Sequence, residues 1–295
     1  MKKVYILPPE EDWIVDRFVK EWYEDNSDIS VRNPLEADVI WLFADWCWKK
    51  IPFQILKSKK VITTVHHIVP EKFDKLEFMH RDQITDVYHV PNQHTGNFIK
   101  SLTKKVVHVI PYWANQKIWK STEEKSILRK KYDLPINDYI IGSFQRDTEG
   151  SDLISPKLEK GPDLLFDFIT NFSFKQKIFV LLAGWRRQYI INKLKNDNIS
   201  FKYFEKPSQY ILNDLYQTLD LYPITSRYEG GPQSIIECGL LNIPVISRNV
   251  GMATQVLPIS SINDNICDAI PEVPNVESLK LPLGYVQYRN LIQST

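Results

Sequence analysis

The 295-residue chain has only three cysteines, Cys47, Cys238 and Cys267, and no Cys-x-x-Cys pair. That scarcity argues against a disulfide framework and a cysteine zinc site, and it fits a reducing compartment. No apolar run reaches the about 20 residues that cross a bilayer. The opening Met1-Lys2-Lys3-Val4-Tyr5-Ile6-Leu7 sets basic before apolar residues, but it meets Pro8-Pro9-Glu10-Glu11 too soon for a signal peptide. A buried first strand and a cytoplasmic chain are expected. Charge of one sign is also missing. The formal net charge is +1, and no basic stripe with interleaved aromatics marks a nucleic-acid partner. Asp-x-Asp is absent, which argues against the simplest carboxylate clamp for Mg²⁺. No metal site and no cofactor are expected.

What is present is ordinary in amount and ordered in pattern. Hydrophobic residues make up 43% and charged residues 25%, enough for a sizeable core. The length allows two domains of about 100–200 residues. Short Val- and Ile-rich runs at 3–7, 38–42, 61–65, 87–90 and 106–110 read as strands. Helical patterns lie between them near 13–23, 46–56, 73–81 and 95–102. The alternation restarts after Pro111-Tyr112-Trp113-Ala114-Asn115. There, strands are expected at 139–143, 178–183, 221–225 and 244–247, with helices at 123–132, 162–171, 188–195, 210–218 and 233–241. Such alternation predicts parallel sheets covered by crossover helices. The expected architecture is α/β, two Rossmann-like doubly wound domains that face one another across a cleft. They are assigned to 1–112 and 113–283, with a last helix within 284–295 packing back on the first.

The informative block runs from Leu221 through Thr225-Ser226-Arg227-Tyr228-Glu229-Gly230-Gly231-Pro232-Gln233-Ser234 to Glu237 and Pro244-Val245-Ile246. A buried strand enters a glycine turn that opens a helix, and in open α/β sheets ligands bind at the carboxyl ends of strands. The first N–H groups and the positive dipole end of that helix suit a phosphate. Gly230 and Gly231 allow close approach, having no Cβ. Glu229 stands before the helix mouth and Glu237 about a turn inside, so a diphosphate there would be bracketed by two acceptors for hydroxyl groups.

This block resembles the Glu-x7-Glu signature of glycosyltransferase family 4, retaining enzymes of the GT-B fold. The family's glycine before Pro-Val-Ile is replaced here by Asn242, a residue that tolerates the left-handed conformation. Gly251 looks like the glycine that follows the family's next strand. The resemblance implies transfer of a sugar from a nucleotide-diphosphate donor to a glycan or lipid-linked acceptor, with retained configuration and without metal. By the same resemblance Arg146 and Lys160, in the first strand-to-helix loop of the second domain, hold the diphosphate and stabilise the departing nucleotide. That loop is longer than usual, which leaves Lys157 a rival to Lys160. Glu229 would orient the sugar and Glu237 the ribose, with Gly142, Gly230, Gly231, Pro232, Gln233 and Ser234 lining the donor site. His66, or its neighbour His67, follows a strand where the family often places a histidine against the donor sugar.

Tyr203 and Phe204 are candidates for the base pocket, or equally core residues of a short strand. The segment 45–60 mixes Trp46, Trp48 and five lysines, which suits a peripheral membrane contact. Pro52 interrupts any long amphipathic face and favours a core-packing helix with a basic surface. After the first strand, the family's glycine-rich loop is replaced by Pro8-Pro9-Glu10-Glu11-Asp12-Trp13, so the acceptor side is where the resemblance carries least. Two other readings stay open on the same scaffold: a subunit that binds nucleotide-sugar without catalysis, and a sugar-nucleotide epimerase.

Overall fold

The computed structural model describes residues 1–11, 14–172 and 176–295. Trp13, the expected start of the first helix, lies outside the described residues. The chain forms two compact units, Met1–Tyr112 with Pro282–Thr295, and Trp113–Leu281.

In the first unit β1 (Val4–Ile6), α1 (Ile14–Asp25), β2 (Val39–Leu42), α2 (Phe53–Ser58), β3 (Lys60–Thr64), α3 (Lys75–Asp82), β4 (Val87–Val90), α4 (Gln93–Leu102) and β5 (Val106–Val109) follow in order. The strands form one parallel sheet in the order β1-β2-β3-β4-β5. Val39, Ile40, Trp41 and Leu42 of β2 are all buried, as expected where both faces of a sheet are covered. After α1 the chain passes the outer edge of β1, where Val31 N–H reaches Val4 O at 2.9 Å and Val4 bridges Ser30. It then crosses to place β2 on the other edge. Right-handed crossovers on opposite sides of β1 put α1 on one face and the later helices on the other. The doubly wound topology thus survives with one wing reduced to a single bridge.

The helix expected over 46–56 does not form as one piece. A 3-10 turn, Asp45–Lys50, is separated from α2 by Ile51 and Pro52. Pro52 has no N–H to continue the ladder, so the chain restarts there. Trp48 and Lys49 both bond Glu77, and Lys50 donates to Pro9 O at 2.8 Å. No continuous amphipathic face results.

The second unit contains α5 (Lys125–Lys131), β6 (Tyr139–Ser143), α6 (Pro162–Asn171), β7 (Ile178–Gly184), α7 (Gln188–Asn196), β8 (Phe201–Glu205), α8 (Gln209–Gln217), β9 (Tyr222–Ile224), α9 (Gln233–Leu240), β10 (Val245–Ser247) and α10 (Ala253–Val256). Parallel ladders join β6-β7-β8 and β9-β10. The Ile141–Leu221 bridge links the two sets, with Gly142 N–H to Leu221 O at 2.9 Å. The strand order is therefore β8-β7-β6-β9-β10, reversing between β6 and β9. A crevice at the carboxyl ends of those two strands is where a doubly wound sheet binds ligands. Gly142 serves this junction, because a Cβ there would collide with Leu219. It lies inside β6, where it packs against Leu219. Phe168 and Leu165 from α6 pack on Val180 and Leu182 of β7 to build the core beneath.

The last helix, α11 (Val286–Ser294), belongs to the first unit. Tyr288 stacks on Trp41 with ring centroids 5.4 Å apart, and its hydroxyl donates to Pro111 O at 3.0 Å. Among the described residues no helix is long and apolar enough to cross a membrane.

His89, fully buried in β4, illustrates how this interior handles polarity. Its Nε2 lies 2.9 Å from Ile110 O, which can only accept, so Nε2 carries the proton. Nδ1 then accepts from Thr64, whose hydroxyl in turn accepts from Trp41 Nε1. Burial lowers the His89 pKa to about 3. The unfolded chain, near the ordinary 6.5, binds the proton first, so this contribution to stability is present above about pH 6.5 and lost as pH falls toward 3. In an NMR titration the His89 ring should hold its neutral shifts down to about pH 4, while unfolding free energy declines through the same range.

Candidate functional site

The switch point of the second unit is closed by two loops that bond to one another. The loop after β6 ends in Leu158-Glu159-Lys160-Gly161, and the loop after β9 runs from Thr225 to Pro232. Gly161 has φ 60°, and a Cβ there would collide with Thr225 O. Only glycine both adopts the left-handed backbone and permits this approach. Pro162 then starts α6 with φ already set. Arg227 grips the same helix start, bonding both carboxylate oxygens of Asp163 at 2.8 and 2.6 Å. Its N–H donates to Glu159 O at 2.8 Å.

Within this frame Lys160 Nζ lies 2.5 Å from Glu229 Oε1. Ser226 Oγ donates to the same oxygen at 2.9 Å. Gln145 joins the loops by donating to Lys160 O at 2.9 Å. The pair is largely sheltered, the two side chains being 22% and 11% exposed. The structure thus brings Lys160 to Glu229, whereas Lys157 sits at the loop base, its N–H bonded to Asp147 O.

Gly230 and Gly231 lead into α9, whose first residues are Gln233 and Ser234 behind Pro232. Neither glycine is among those with positive φ. Gly251, with φ 56°, packs against this turn, and a Cβ on it would stand 2.9 Å from Gly230 O and from Pro232 Cδ. Asn242 adopts φ 57° at the end of α9. Ser234 bonds the Tyr222 hydroxyl, which also accepts Phe144 N–H at 2.9 Å. Glu237, 5% exposed, accepts a hydrogen bond from Tyr216 at 2.7 Å. Burial foremost, then the neighbouring carboxylate, raises the Tyr216 pKa well above its ordinary value. The phenol therefore stays a donor and fixes the orientation of Glu237.

Arg146 is half-buried in the loop that follows β6. Its Nε donates to Thr148 O at 2.9 Å, and its guanidinium lies over Trp185 at 5.3 Å. The loop that carries it rests on a buried ion pair. Arg187 Nε meets Asp147 Oδ2 at 2.6 Å, both side chains essentially without exposure. The remaining guanidinium nitrogens bond Ser143 O, Ser143 Oγ and Ala183 O. Such a pair is held by geometry, and removing one partner typically costs about 3–5 kcal/mol.

Other expected residues are carried by different elements. Tyr203 and Phe204 belong to β8. The Tyr203 hydroxyl donates to Gly184 O at 3.0 Å, its ring packs on the core, and Phe204 meets Tyr132 edge-on at 5.8 Å. His66 is in the first unit. Nε2 lies 2.7 Å from Phe43 O and so carries the proton, while Nδ1 accepts from the Tyr112 hydroxyl. Burial lowers its pKa below the ordinary value. With both ring nitrogens engaged, its ring is a neutral, fixed group.

Sequence reading did not single out Ser226, Tyr216, Asp147, Trp185 or Arg187. The run Gly184-Trp185-Arg186-Arg187 at the carboxyl end of an apolar strand was a usable signal. Tyr216 gave none, since an aromatic on the buried face of a helix reads as core.

No family model matches the chain. Two Rossmann-type parallel sheets, one with the Glu229 turn at its switch point, are nevertheless the α/β fold of GT-B glycosyltransferase structures. HepE of Anabaena, solved with UDP and glucose, superposes with a TM-score of 0.68 at 14% identity, covering 88% of this chain and 83% of that one. Sucrose-phosphate synthase of Thermosynechococcus elongatus gives 0.66 at 16% identity, covering 95% and 79%. In sequence, the chain is 22% identical over 160 residues to alpha-galactosylglucosyldiacylglycerol synthase of Streptococcus pneumoniae. That match takes in 53% of this chain and 41% of the relative, so the chain spans about two fifths of the length of the curated protein it matches.

Tyr216→Phe removes the donor that orients Glu237 while keeping the ring. A hydrogen bond to a charged group contributes about 1.5–3 kcal/mol to stability, so thermal unfolding should show the Tyr216→Phe midpoint lowered by several degrees relative to wild type.

Proposed function

We propose that this protein is a glycosyltransferase that takes a sugar from a nucleoside-diphosphate donor bound in the second unit. The observation that carries this reading is the Lys160–Glu229 pair at the mouth of α9, set at the strand-order reversal between β6 and β9. The resemblance of that turn to the Glu-x7-Glu signature and the UDP complexes of HepE support it.

On this reading the α9 N-terminus receives the diphosphate on its first N–H groups. Lys160 and Arg146 neutralise the charge that develops on the leaving group, the work a divalent cation does elsewhere. No Asp-x-Asp pair is present in the chain, which supports a reaction without metal. Lys160 holds Glu229 before the donor arrives, so the carboxylate that orients the sugar hydroxyls is already in place. Glu237, fixed by Tyr216, takes the ribose. Retention follows if the acceptor attacks the face from which the diphosphate departs, shielded by the same groups. The relative that synthesises a diacylglycerol glycolipid supports a glycan or lipid-linked acceptor.

Thermal-shift measurements against UDP, GDP, ADP and dTDP identify the base, since a ligand of the native state raises stability by mass action. With the matching nucleotide-sugar, slow donor hydrolysis by the wild type separates an enzyme from a binding subunit. Lys160→Ala should lower turnover about 10²–10³-fold, and Glu229→Gln should lower turnover more than affinity. Glu237→Ala should act mainly on donor affinity. Retention of normal turnover and affinity by all three variants would remove the site from consideration.

A further inference from the structure

Three times in the first unit the chain enters a strand through the same tripeptide. Lys2-Lys3-Val4 opens β1, Lys59-Lys60-Val61 opens β3, and Lys104-Lys105-Val106 opens β5. Between them, Asp38-Val39 opens β2 and Asp86-Val87 opens β4. All five strands are parallel and lie side by side in chain order. Lysine pairs and single aspartates therefore alternate along one edge, the amino edge of the sheet. At about 4.8 Å per strand this edge is about 19 Å wide.

The aspartates have structural partners. Asp38 accepts Lys3 N–H at 2.7 Å, and Asp86 accepts Val61 N–H at 2.8 Å as well as Lys60 Nζ at 3.0 Å. They satisfy strand-end N–H groups that no ladder reaches. The lysines are placed differently. Lys60 and Lys105 pair with Asp86 and Asp82 at 3.0 and 3.7 Å, whereas Lys3, Lys57 and Lys59 donate to the carbonyls of Asp28, Gln83 and Leu35 at 2.7, 2.6 and 2.9 Å. A neutral carbonyl orients an ammonium group without cancelling its charge. With Lys57, the edge sets seven lysines against Glu36, Asp38, Asp82 and Asp86, and Asp28 beside Lys3 is offset by Arg289 at 2.6 Å, in a chain whose overall charge is +1.

Apolar side chains stand among these cations. Met1, Leu35 and Val106 are 82%, 62% and 59% exposed. A groove of about 560 Å³ opens here, walled by Lys2, Lys57, Lys59 and Lys60, with Leu56 and Ile84 among its lining. Ammonium groups interspersed with exposed apolar tips match the headgroup region of an anionic bilayer, where cations meet phosphates and apolar groups enter the acyl boundary. Single-stranded nucleic acid would call for aromatic faces to stack on, and no aromatic residue lines this groove.

We propose that the amino edge of the five-stranded sheet docks on an anionic lipid bilayer. The inference is independent of the donor reading, since it rests on the first unit alone and on the strand ends opposite those where ligands of α/β sheets bind.

The test is co-sedimentation of the full chain with phosphatidylcholine vesicles, and with vesicles that also contain phosphatidylglycerol, at low and high salt. Wild type should bind only the anionic vesicles, and salt should release it. A lysine beside such a surface is worth about fivefold in affinity. The combined Lys2→Gln, Lys59→Gln, Lys104→Gln variant should therefore lose about 100-fold while keeping its circular dichroism and thermal midpoint. Lys130→Gln, Lys177→Gln, Lys195→Gln removes the same charge from exposed positions in the second unit and should bind as wild type does. Failure of wild type to sediment with anionic vesicles overturns the proposal. So does equal loss in both triple variants, full binding by the edge variant, or tighter binding of a single-stranded oligonucleotide than of vesicles.

Discussion

The second unit depends on how closely two loops can approach at the carboxyl ends of β6 and β9. Gly161 lets the start of α6 lie against Thr225 O, and that approach delivers Lys160 to Glu229. A side chain at 161 would push the loops apart, and the lysine and carboxylate would no longer share one oxygen environment with Ser226. The ion pair is a consequence of backbone packing more than its cause. A largely sheltered pair of this kind offsets much of its attraction by desolvation and adds modest stability by itself, but it presents one cation and one anion in fixed positions beside the mouth of α9. Preorganisation of that sort is what stabilises charge that appears only during reaction.

Around this junction the protein holds its interior polar groups in one state each. Asp147 and Arg187 are buried together and bonded on all sides, so the loop bearing Arg146 has a rigid floor. Tyr216 stays protonated beside Glu237. In the first unit His66 and His89 each give the Nε2 proton to a main-chain carbonyl and accept a hydroxyl at Nδ1. Neutral imidazoles with both nitrogens used are inexpensive to bury, because no charge is desolvated and no donor or acceptor is left over.

The two units differ in how completely they realise the doubly wound plan. The second has strands on both sides of the β6–β9 reversal, whereas in the first the wing beyond β1 is a single bridge at Ser30. The polar decoration differs as well. The second unit brings Lys160, Glu229 and Ser226 together at the carboxyl ends of strands, and the first gathers lysines at the amino ends of β1, β3 and β5. That repetition was visible in the sequence as Lys-Lys-Val three times over. It had no meaning until strand order showed that the three copies share an edge.

Much of the glycine turn before α9 was legible because its determinants are local. A buried strand, two glycines, a proline and a helix within some twenty residues fix the backbone path, and Glu229 and Glu237 follow from helix geometry. Asn242 was legible for the same reason, as one residue's backbone preference. Pro52 likewise announced the break that divides 45–58 into a 3-10 turn and α2. Long-range partners were not legible. That Lys160 and not Lys157 meets Glu229, 69 positions away, depends on how the β6 loop folds over the β9 loop. That Gly142 accommodates Leu219 and that Tyr203 packs in β8 depend on neighbours brought in by sheet order. Sequence alone determined the elements, their alternation and the local turn chemistry, because those follow from near-neighbour sterics and hydrophobic period. Only the tertiary structure decided which charged and hydrogen-bonding groups became partners, because such pairing is settled by distances that packing sets.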